Sequence, residues 1–260
     1  MLKFYLLPVT AGLLLLITSS CQKRHDPNNG TILRQTVIDR PSTGIVATNY
    51  VYNEGHDLVR LHMVTNPGER NERKEALVIE MNQEGYLLRS YYAEPGNSAY
   101  NIEEYTYRRK LPDTVVSTIT IYRFLPPAYT RQVILDKLQR VISDSIRTIA
   151  NGDINFSTYT WDANGNLAIQ RTGLLVNGIL RDSSKVIYTY DTRRNPLRGF
   201  GVPYYLATRD ATVFNTDNVL TWDDGQFRYT WQYKYNINDL PLERMLPIAS
   251  GQRKHSFYYR

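Results

Sequence analysis

The stretch YTWDANGNLAIQR, residues 159–171, contains the local signals that decide the fold. Tyr159 and Trp161 are two residues apart, so in a β-strand their side chains share one face and present a hydrophobic patch to a core. Asp162 is typical of the start of a turn, because its short side chain accepts hydrogen bonds from backbone amides further along the chain. Gly165 adopts a positive φ without steric cost, which lets the chain reverse.

The residues after this turn predict the second strand of a β-hairpin. Leu167 begins the return strand, and Ile169 is expected to line the same face as Leu167. The stretch is therefore one hairpin unit.

Similar pairs of large side chains recur in seven segments along the chain. Their second members are 26 to 29 residues apart until the last step, which is 45 residues. The pairs are Tyr50 and Tyr52, Ile79 and Met81, Tyr105 and Tyr107, Val133 and Leu135, Tyr159 and Trp161, Tyr188 and Tyr190, and Tyr233 and Tyr235. Repetition at a nearly fixed period predicts hairpins that stack edge to edge and share one hydrophobic face. The expected fold class is all-β, with repeated antiparallel β-hairpins forming a curved, open or partly rolled sheet.

Asp or Asn directly follows six of the seven pairs, and a leucine comes after each of those turns. The turn residues are Asn53, Asn82, Asp136, Asp162, Asp191 and Asn236. The leucines expected to begin the return strands are Leu58, Leu87, Leu138, Leu167, Leu197, and either Leu240 or Leu242.

Residues 130–150 allow two interpretations. Apolar residues at 134, 138, 141, 142, 146 and 149 fit a helical stripe. The segment is also in phase with the repeat and rich in β-branched residues, which favours two strands. We expect two strands, with a helix as the alternative.

Residues 1–20 have the features of a signal peptide. Met1 and Lys3 precede an apolar stretch that ends at Ile17 and is too short to span a bilayer of about 30 Å. Small residues then lead to Cys21, the only cysteine, in a pattern that resembles the lipobox of bacterial lipoproteins. Because Thr18 occupies a position where an aliphatic residue is usual, a plain secretory signal is the alternative. The lipobox resemblance implies that Cys21 carries a lipid anchor.

The predicted organisation has three parts. Residues 1–20 are the signal peptide, residues 21–44 a flexible tether, and residues 45–260 the hairpin repeat domain, with an irregular insertion at about 196–220. With Cys21 acylated no thiol remains, which excludes disulfides, zinc–thiolate sites and a cysteine nucleophile. The expected location is the outer membrane, and the sequence leaves the periplasmic and surface sides open.

The pattern Y-x-Y-D-x-x-G-x-L resembles the YD repeats of the RHS family, and it is similar to YD-repeat lipoproteins of the Bacteroidota. The residues that carry the resemblance are YVYNEGHDLVRL (50–61), YTWDANGNL (159–167), YTYDTRRNPL (188–197) and YKYNINDLPL (233–242). It covers the chain from about residue 45 to the end and implies an architecture rather than an activity. RHS proteins with many repeats form a shell around a toxin, whereas seven units without a toxin domain imply a curved or partly rolled sheet.

Charge does not point to nucleic acid. The chain has 31 Lys and Arg against 25 Asp and Glu, a net charge of +6. The basic residues are scattered among acidic ones, which is typical of a solvated surface rather than a phosphate-binding groove.

The motifs of common catalytic and metal sites are absent from the sequence. None of the four histidines, His25, His56, His62 and His255, has a partner at metal-ligand spacing, and no nucleophile elbow or phosphate-binding glycine loop occurs. We therefore expect no metal, no cofactor and no enzymatic activity.

Carboxylates and aromatic rings give the remaining candidates. A glycosidase needs only two carboxylates about 5 to 10 Å apart. The acidic residues nearest to aromatic rings are Asp162, Asp191, Asp223 and Asp224, for which turn formation is the simpler account. The candidate ligand contacts, which lie outside the repeat frame in or beside the long insertion, are Tyr204, Tyr205, Trp222 and Trp231.

Three functions remain open on the sequence. The first is a lipid-anchored binding or interaction module of the cell envelope, held on the membrane through Cys21, for a protein or glycan partner; it predicts an exposed aromatic patch around residues 200–231 and no convergent acid pair. The second is a structural envelope protein without a ligand, in which those rings are packed away. The third is a carbohydrate-active hydrolase, which requires two carboxylates in a cleft.

Overall fold

The structure is a computed structural model that describes residues 32–40, 44–55, 57–83, 86–94, 100–107, 114–122, 126–248 and 251–259. The predicted signal peptide, Cys21, His25 and His56 lie outside these residues. The first strands are β1 Leu33–Arg40, β2 Gly44–Tyr52, β3 Leu58–Thr65, β4 Arg73–Met81, β5 Leu87–Ala93, β6 Tyr100–Tyr107, β7 Thr114–Tyr122, β8 Tyr129–Leu135 and β9 Val141–Thr148. The others are β10 Ile154–Trp161, β11 Leu167–Val176, β12 Ile179–Arg194, β13 Asp217–Asp223, β14 Arg228–Thr230, β15 Gln232–Tyr235, β16 Pro241–Ile248 and β17 Gly251–Tyr259. Helix α1, Gly201–Thr208, and the 3₁₀ helix Ala211–Phe214 lie between β12 and β13.

The strands form a single antiparallel sheet that returns on itself. Strands adjacent in the sequence pair with each other, and β1 pairs with β2 on one side and β17 on the other. Strands β14 and β15 act as one strand interrupted at Trp231, whose amide donates to the carbonyl of Leu220 at 2.8 Å. The all-β prediction is confirmed, and the sheet rolls further than an open sheet, into a barrel-like form. Residues 130–150 form the two strands β8 and β9, so the strand interpretation of that segment is confirmed.

The repeat turns share one hydrogen-bond pattern. The amide of Asp162 donates to the carbonyl of Asn166 at 2.8 Å, while Oδ1 of Asp162 accepts from the amides of Asn164 at 2.9 Å and Asn166 at 2.8 Å. Gly165 has φ 88°, which favours glycine at this place. Turns closed by the same backbone bond join Asn53 to Asp57, Asn82 to Tyr86, Asp136 to Arg140, and Asn236 to Leu240. We call the end of the sheet where these turns lie the turn end, and the opposite end the far end.

Each of these five turns is followed by a β-bulge at the start of the return strand. Trp161 pairs with Leu167, but the preceding residue, Thr160, pairs with Ile169, so one residue of the return strand is extra. The same shift occurs at Tyr52, Met81, Leu135 and Tyr235. Because of the bulge, Ile169 lies on the outer face with Thr160, and the prediction that it lines the inner face with Leu167 was wrong.

The aromatic residues of the repeat connect one hairpin to the next. The indole Nε1 of Trp161 donates to the carbonyl of Val141 at 2.8 Å, which lies in the preceding hairpin. Tyrosine hydroxyls make equivalent bonds, from Tyr52 to Leu33, Tyr190 to Leu167, Tyr233 to Val219, and Tyr259 to Pro241, at 2.6 to 2.7 Å. A buried ring thus contributes apolar area and also satisfies a backbone carbonyl at a strand end.

The segment between β12 and β13 lies inside the sheet at the turn end. Tyr205, Leu206 and Val213 are at most 1% exposed, and they pack with apolar residues from β3 to β11 in one core cluster. Asp210 caps the 3₁₀ helix by accepting from the amide of Thr212 at 2.9 Å. The predicted insertion at about 196–220 is therefore partly helical and forms an internal plug; we call residues 201–214 the plug.

The outer face of the sheet carries charged side chains within the strands. Those at outward-facing register positions include Arg60, Glu80, Arg89, Glu104, Arg147, Arg171, Lys185, Lys234, Glu243 and Lys254. The ammonium of Lys234 lies 2.8 Å from the carboxylate of Glu243, and with Lys254 on its other side this lowers the pKa of Glu243 to about 2. Exposed apolar side chains, among them Val51, Ile187 and Tyr258, lie at other outward positions, so the outer face is mixed in character.

Residues 33–40, predicted as part of the tether, instead form strand β1. Leu33 is 1% exposed and Thr36 is buried. The sequence interpretation failed here because β1 obtains its hydrogen-bond partners from β2 and from β17, at the other end of the chain.

Three of the six predicted return leucines do not begin their strands. Leu138 lies in its turn and is 72% exposed, and the return strand begins at Val141, five residues after Asp136, as it does in the other four turns of this type. Leu197 begins no strand, because the chain enters the segment that leads to the plug there. Neither alternative near residue 241 begins its strand, which starts at Pro241; Leu240 precedes it and is fully buried, and Leu242 is exposed.

Candidate functional site

A cavity of about 420 Å³ opens to solvent inside the sheet beside β9 to β12. Its wall consists of three rows of side chains that run across neighbouring strands, as the strand registers show. The rows are Tyr159 with Gln170; Asp144 with Ser157, Thr172 and Ser184; and Ile146 with Asn155, Leu174 and Asp182. The lining also includes Phe156, Gly173 and Ser183, and Arg209, which caps the C-terminal end of α1 in a left-handed conformation.

Strand β10 explains why this part of the interior is polar. Its inward positions are Asn155, Ser157, Tyr159 and Trp161, so the inner face changes from large rings near the turn end to small polar groups toward the far end. Across the sheet, the hydroxyls of Thr172 and Ser184 lie 2.6 Å apart. The plug fills the space beside the rings and meets the polar rows at Asp144, through the hydroxyl of Tyr205, which leaves the cavity beyond this contact.

A buried ion network forms the floor of the cavity. The guanidinium of Arg131 is fully buried and makes two bonds to the carboxylate of Asp144, from Nε at 3.0 Å and from Nη2 at 2.6 Å. Nη1 of Arg131 donates to Oε1 of Glu103 at 3.1 Å and to the carbonyl of Leu206 at 2.7 Å. The sheet thereby supplies hydrogen bonds to the C-terminal end of α1, where helix carbonyls lack intrahelical partners.

Tyrosine hydroxyls extend this network. Tyr205 donates to Oδ2 of Asp144 at 2.6 Å, and its hydroxyl lies 3.2 Å from that of Tyr159 in the cavity wall. Burial raises the pKa of Tyr205, and the negative charge of Asp144 adds to the shift. Tyr105 also donates to the carbonyl of Leu206, at 3.0 Å. The floor is thus held by hydrogen bonds among strands and plug.

The carboxylates have structural partners. Asp144 accepts from Arg131 and Tyr205, and Glu103 accepts from Arg131 and from the hydroxyl of Ser117 at 2.5 Å. The four acidic residues singled out in the sequence accept hydrogen bonds from backbone amides at turns or strand ends. The donors are Asn164 and Asn166 for Asp162, Arg193 and Asn218 for Asp191, Gly225 for Asp223, and Gln226 and Phe227 for Asp224.

The pKa of one of these carboxylates is lowered rather than raised. The amides of Phe227 and Gln226 stabilise the charged form of Asp224 and lower its pKa. A general acid in a glycosidase needs the opposite shift.

The structure does not bring the four candidate aromatic residues together. Tyr204 and Tyr205 lie in the plug, 7% and 0% exposed, and Trp231 is 7% exposed beneath the guanidinium of Arg244 at 4.5 Å. Trp222 is half-buried and stacks on Tyr229 with ring centroids 4.2 Å apart. The predicted exposed aromatic patch around residues 200–231 was therefore wrong for three of its members, since the plug and core bury them.

Of these four residues, Tyr205 lies next to the cavity, behind Tyr159. Trp222 lies directly across from Tyr188, whose hydroxyl donates to Oε1 of Gln170 in the cavity wall at 2.9 Å. Burial raises the pKa of Tyr188 to about 12.

The described histidines do not form a metal site. His62 is exposed on the outer face, and Nδ1 of the buried His255 accepts from Nε of Arg244 at 3.0 Å. Within the described residues there is no group of three or more His, Cys, Asp or Glu side chains that could hold a metal ion. Neither helix in the described ranges has the length and hydrophobicity needed to cross a membrane.

No protein-family model and no curated protein matches the chain. Among solved structures, it is similar to a porin-like protein from Bacteroides uniformis ATCC 8492, with a TM-score of 0.53 and 12% identity over 88% of this chain and 96% of that one. A porin-like protein from Bacteroides vulgatus ATCC 8482 matches with a TM-score of 0.45 and 11% identity, over 88% of this chain and 99% of that one. At this identity the first likeness shows the fold alone.

Sequence reasoning missed the residues that line the cavity. The available signal was the alternation of β10, because Ser157 and Asn155 share the inward face of Tyr159 and are polar. Their cross-strand partners Thr172 and Ser184 are found only once the register of three strands is known.

Proposed function

We propose that this chain is a lipid-anchored binding module of the bacterial cell envelope, in which the cavity beside β9 to β12 is the binding site. The observation that carries the proposal is the division of the interior, which is filled by the plug at the turn end and holds a polar cavity open to solvent beyond it. A filled interior and charged side chains on the outer face favour a water-exposed receptor over a conducting pore. The envelope location rests on the signal-peptide pattern and on Cys21.

The entry point of the chain supports an orientation for this module. Leu33 lies at the turn end, where its carbonyl accepts the hydroxyl of Tyr52 at 2.6 Å. Eleven residues lie between Cys21 and Leu33, so the two are at most roughly 40 Å apart along a fully extended chain. A lipid on Cys21 therefore holds the turn end toward the membrane and leaves the cavity directed away from it.

The anchor is tested by replacing its attachment point. Cys21→Ala protein is expected to lose its fatty-acid label and leave the membrane fraction, because the lipid contributes about 0.8 kcal/mol for each buried CH₂ and no other anchor is proposed. Ser20→Ala, which keeps a small residue before the cysteine, is expected to retain both. Labelling with a radioactive fatty acid and membrane fractionation measure the two properties. A Cys21→Ala chain that stays labelled and membrane-bound would refute the anchor.

A structural envelope protein without a ligand is the second candidate. The burial of Tyr204, Tyr205 and Trp231 favours it, because these rings serve packing and are not displayed. A carbohydrate-active hydrolase has the least support, since the buried carboxylates of Glu103 and Asp144 are both engaged by Arg131.

A further inference from the structure

We propose that the cavity binds a short neutral saccharide, with Ser157, Gln170, Thr172 and Ser184 as its hydrogen-bonding residues. This assignment rests on the proposed binding function and names the ligand class for the same site. It follows from the chemistry of the wall, its charge balance and its size.

The wall offers groups that both donate and accept hydrogen bonds. A serine or threonine hydroxyl has one donor and two acceptor sites and rotates to suit its partner, and a glutamine amide offers both kinds at fixed positions. Ser157, Thr172 and Ser184 lie side by side on three adjacent strands, with Gln170 one row away. Sugar hydroxyls also donate and accept, so a row of this kind matches a series of ring hydroxyls.

The charges at the cavity floor balance. Arg131 and Arg209 face Glu103 and Asp144, which gives two positive and two negative groups within one network. The remaining charged residue of the lining is Asp182, which is exposed at the rim. An anionic ligand would be repelled by Asp182, and the positive charge of Arg209, the cation in the lining, is partly offset by Glu103 at 3.8 Å. A neutral ligand avoids this cost.

The volume and the apolar residues fit a small ring compound. About 420 Å³ lies within the range of roughly 300–1,000 Å³ typical of small-molecule sites. Ile146 and Leu174 border the polar row and offer contact to the C–H face of a sugar ring. The hydroxyls of the wall then define which stereoisomer fits.

The test compares a cavity-filling variant with a matched outer-face variant. Ser157→Phe places a ring in the cavity, whereas Thr158→Phe places the same ring on the outer face of the same strand. The purified full mature chain in detergent is screened against an array of neutral and acidic oligosaccharides, and hits are measured by titration calorimetry. We expect binding of at least one neutral saccharide that Ser157→Phe weakens at least about tenfold, equivalent to about 1.4 kcal/mol, and Thr158→Phe leaves unchanged.

A second variant covers the case in which Ser157→Phe fails to fold. Thr172→Val removes one hydroxyl of the pair that lies 2.6 Å apart and keeps the side-chain volume. It is expected to weaken the same saccharide severalfold while the circular dichroism spectrum stays that of the parent.

Three results would overturn the ligand assignment. They are no saccharide binding by the parent chain, preference for acidic saccharides alone, and binding that neither cavity variant weakens. If the chain still depends on Cys21 for membrane attachment, these results contradict the saccharide assignment alone. A chain that Cys21→Ala does not release contradicts the proposed function itself.

Discussion

Arg131 connects the sheet to the plug at the level of a single side chain. It is a fully buried cation on β8 that bonds the carboxylates of Glu103 on β6 and Asp144 on β9 and the carbonyl of Leu206. A buried ion pair is not strongly stabilising in itself, but removal of one partner leaves an uncompensated charge and is costly. Arg131 therefore determines where α1 sits, and with it the floor of the cavity.

Arg131→Met is expected to destabilise the fold by about 3–5 kcal/mol, because Glu103 and Asp144 would remain buried without their cation. Urea unfolding followed by circular dichroism measures the loss. Arg147→Met, at an exposed outward position on β9, is the control and is expected to stay within about 0.5 kcal/mol of the parent.

A triple variant separates charge from packing. Arg131→Met combined with Glu103→Gln and Asp144→Asn removes the uncompensated charges and is expected to recover part of the stability. Equal stability of the single and triple variants would contradict the electrostatic explanation.

At the scale of the element, the repeat turn is a unit of fixed length. In all five turns the Asx side chain accepts from the amide four residues later, and at Asp136, Asp162 and Asn236 it also accepts from the amide two residues later. The first residue of the return strand lies five residues after the Asx residue. The bulge that follows keeps this first residue facing the core. The five turns differ in sequence and share one acceptor oxygen, so this oxygen rather than a glycine is their common requirement. Gln139 and Asp239 adopt a positive φ at the position that Gly165 occupies in its own turn.

Asp162→Ala is expected to cost about 1–3 kcal/mol, because two turn amides lose their acceptor. Asp162→Asn keeps the Oδ1 acceptor and is expected to behave like the parent, as Asn53, Asn82 and Asn236 do in the equivalent turns. Thermal unfolding compares the three chains. A loss of stability in the asparagine variant as large as in the alanine variant would point to the charge instead.

The element scale also shows which features could be predicted from the sequence. Tyr159, Trp161, Asp162 and Leu167 were placed correctly because each acts within a few residues of the others. Ile169 was not, because a bulge reverses the facing of every residue after it and its presence depends on the partner strand.

For the molecule as a whole, the buried tyrosines couple the fold to alkaline pH. Burial raises the pKa of Tyr50, Tyr105, Tyr204 and Tyr205 above the ordinary value near 10, and that of Tyr188 to about 12. Below pH 10 these phenols are protonated in both the folded and unfolded states, so their stabilising contribution is fully present. Above pH 10 the unfolded chain loses protons that the folded chain retains, so stability falls as pH rises.

We expect the free energy of unfolding to fall above pH 10 by about 1.4 kcal/mol per pH unit for each such tyrosine. The phenolate absorbance of the buried tyrosines should then increase together with the loss of the β-sheet circular dichroism signal. Tyr188→Phe is expected to reduce the slope of this fall by about 1.4 kcal/mol per pH unit, because one fewer proton is lost on unfolding. Complete ionisation of the buried tyrosines while the sheet stays intact would contradict the coupling.

Long-range features of the molecule were beyond the sequence interpretation. Residues 33–40 have the composition of a polar tether, and they form a strand because they pair with β17 from the other end of the chain. The segment at 196–220 has an irregular sequence pattern, because its apolar residues pack inside a sheet whose strands are distant in the sequence. The cavity also depends on contacts between segments that are distant in the sequence, since it lies where the plug stops filling the inside of the sheet. The candidate site could be predicted only in part, through Tyr205, which contacts its floor.

The pairing of β1 with both β2 and β17 restricts how another macromolecule can be recruited. Many receptors capture an extended peptide by adding it as a further strand to an unpaired edge. Joining the first and last strands removes the edge that each would otherwise expose, while the first half of β12, residues 179–186, pairs with β11 alone. At the junction of β1 and β17, recognition must then come from side chains and loops, because closure there blocks strand addition.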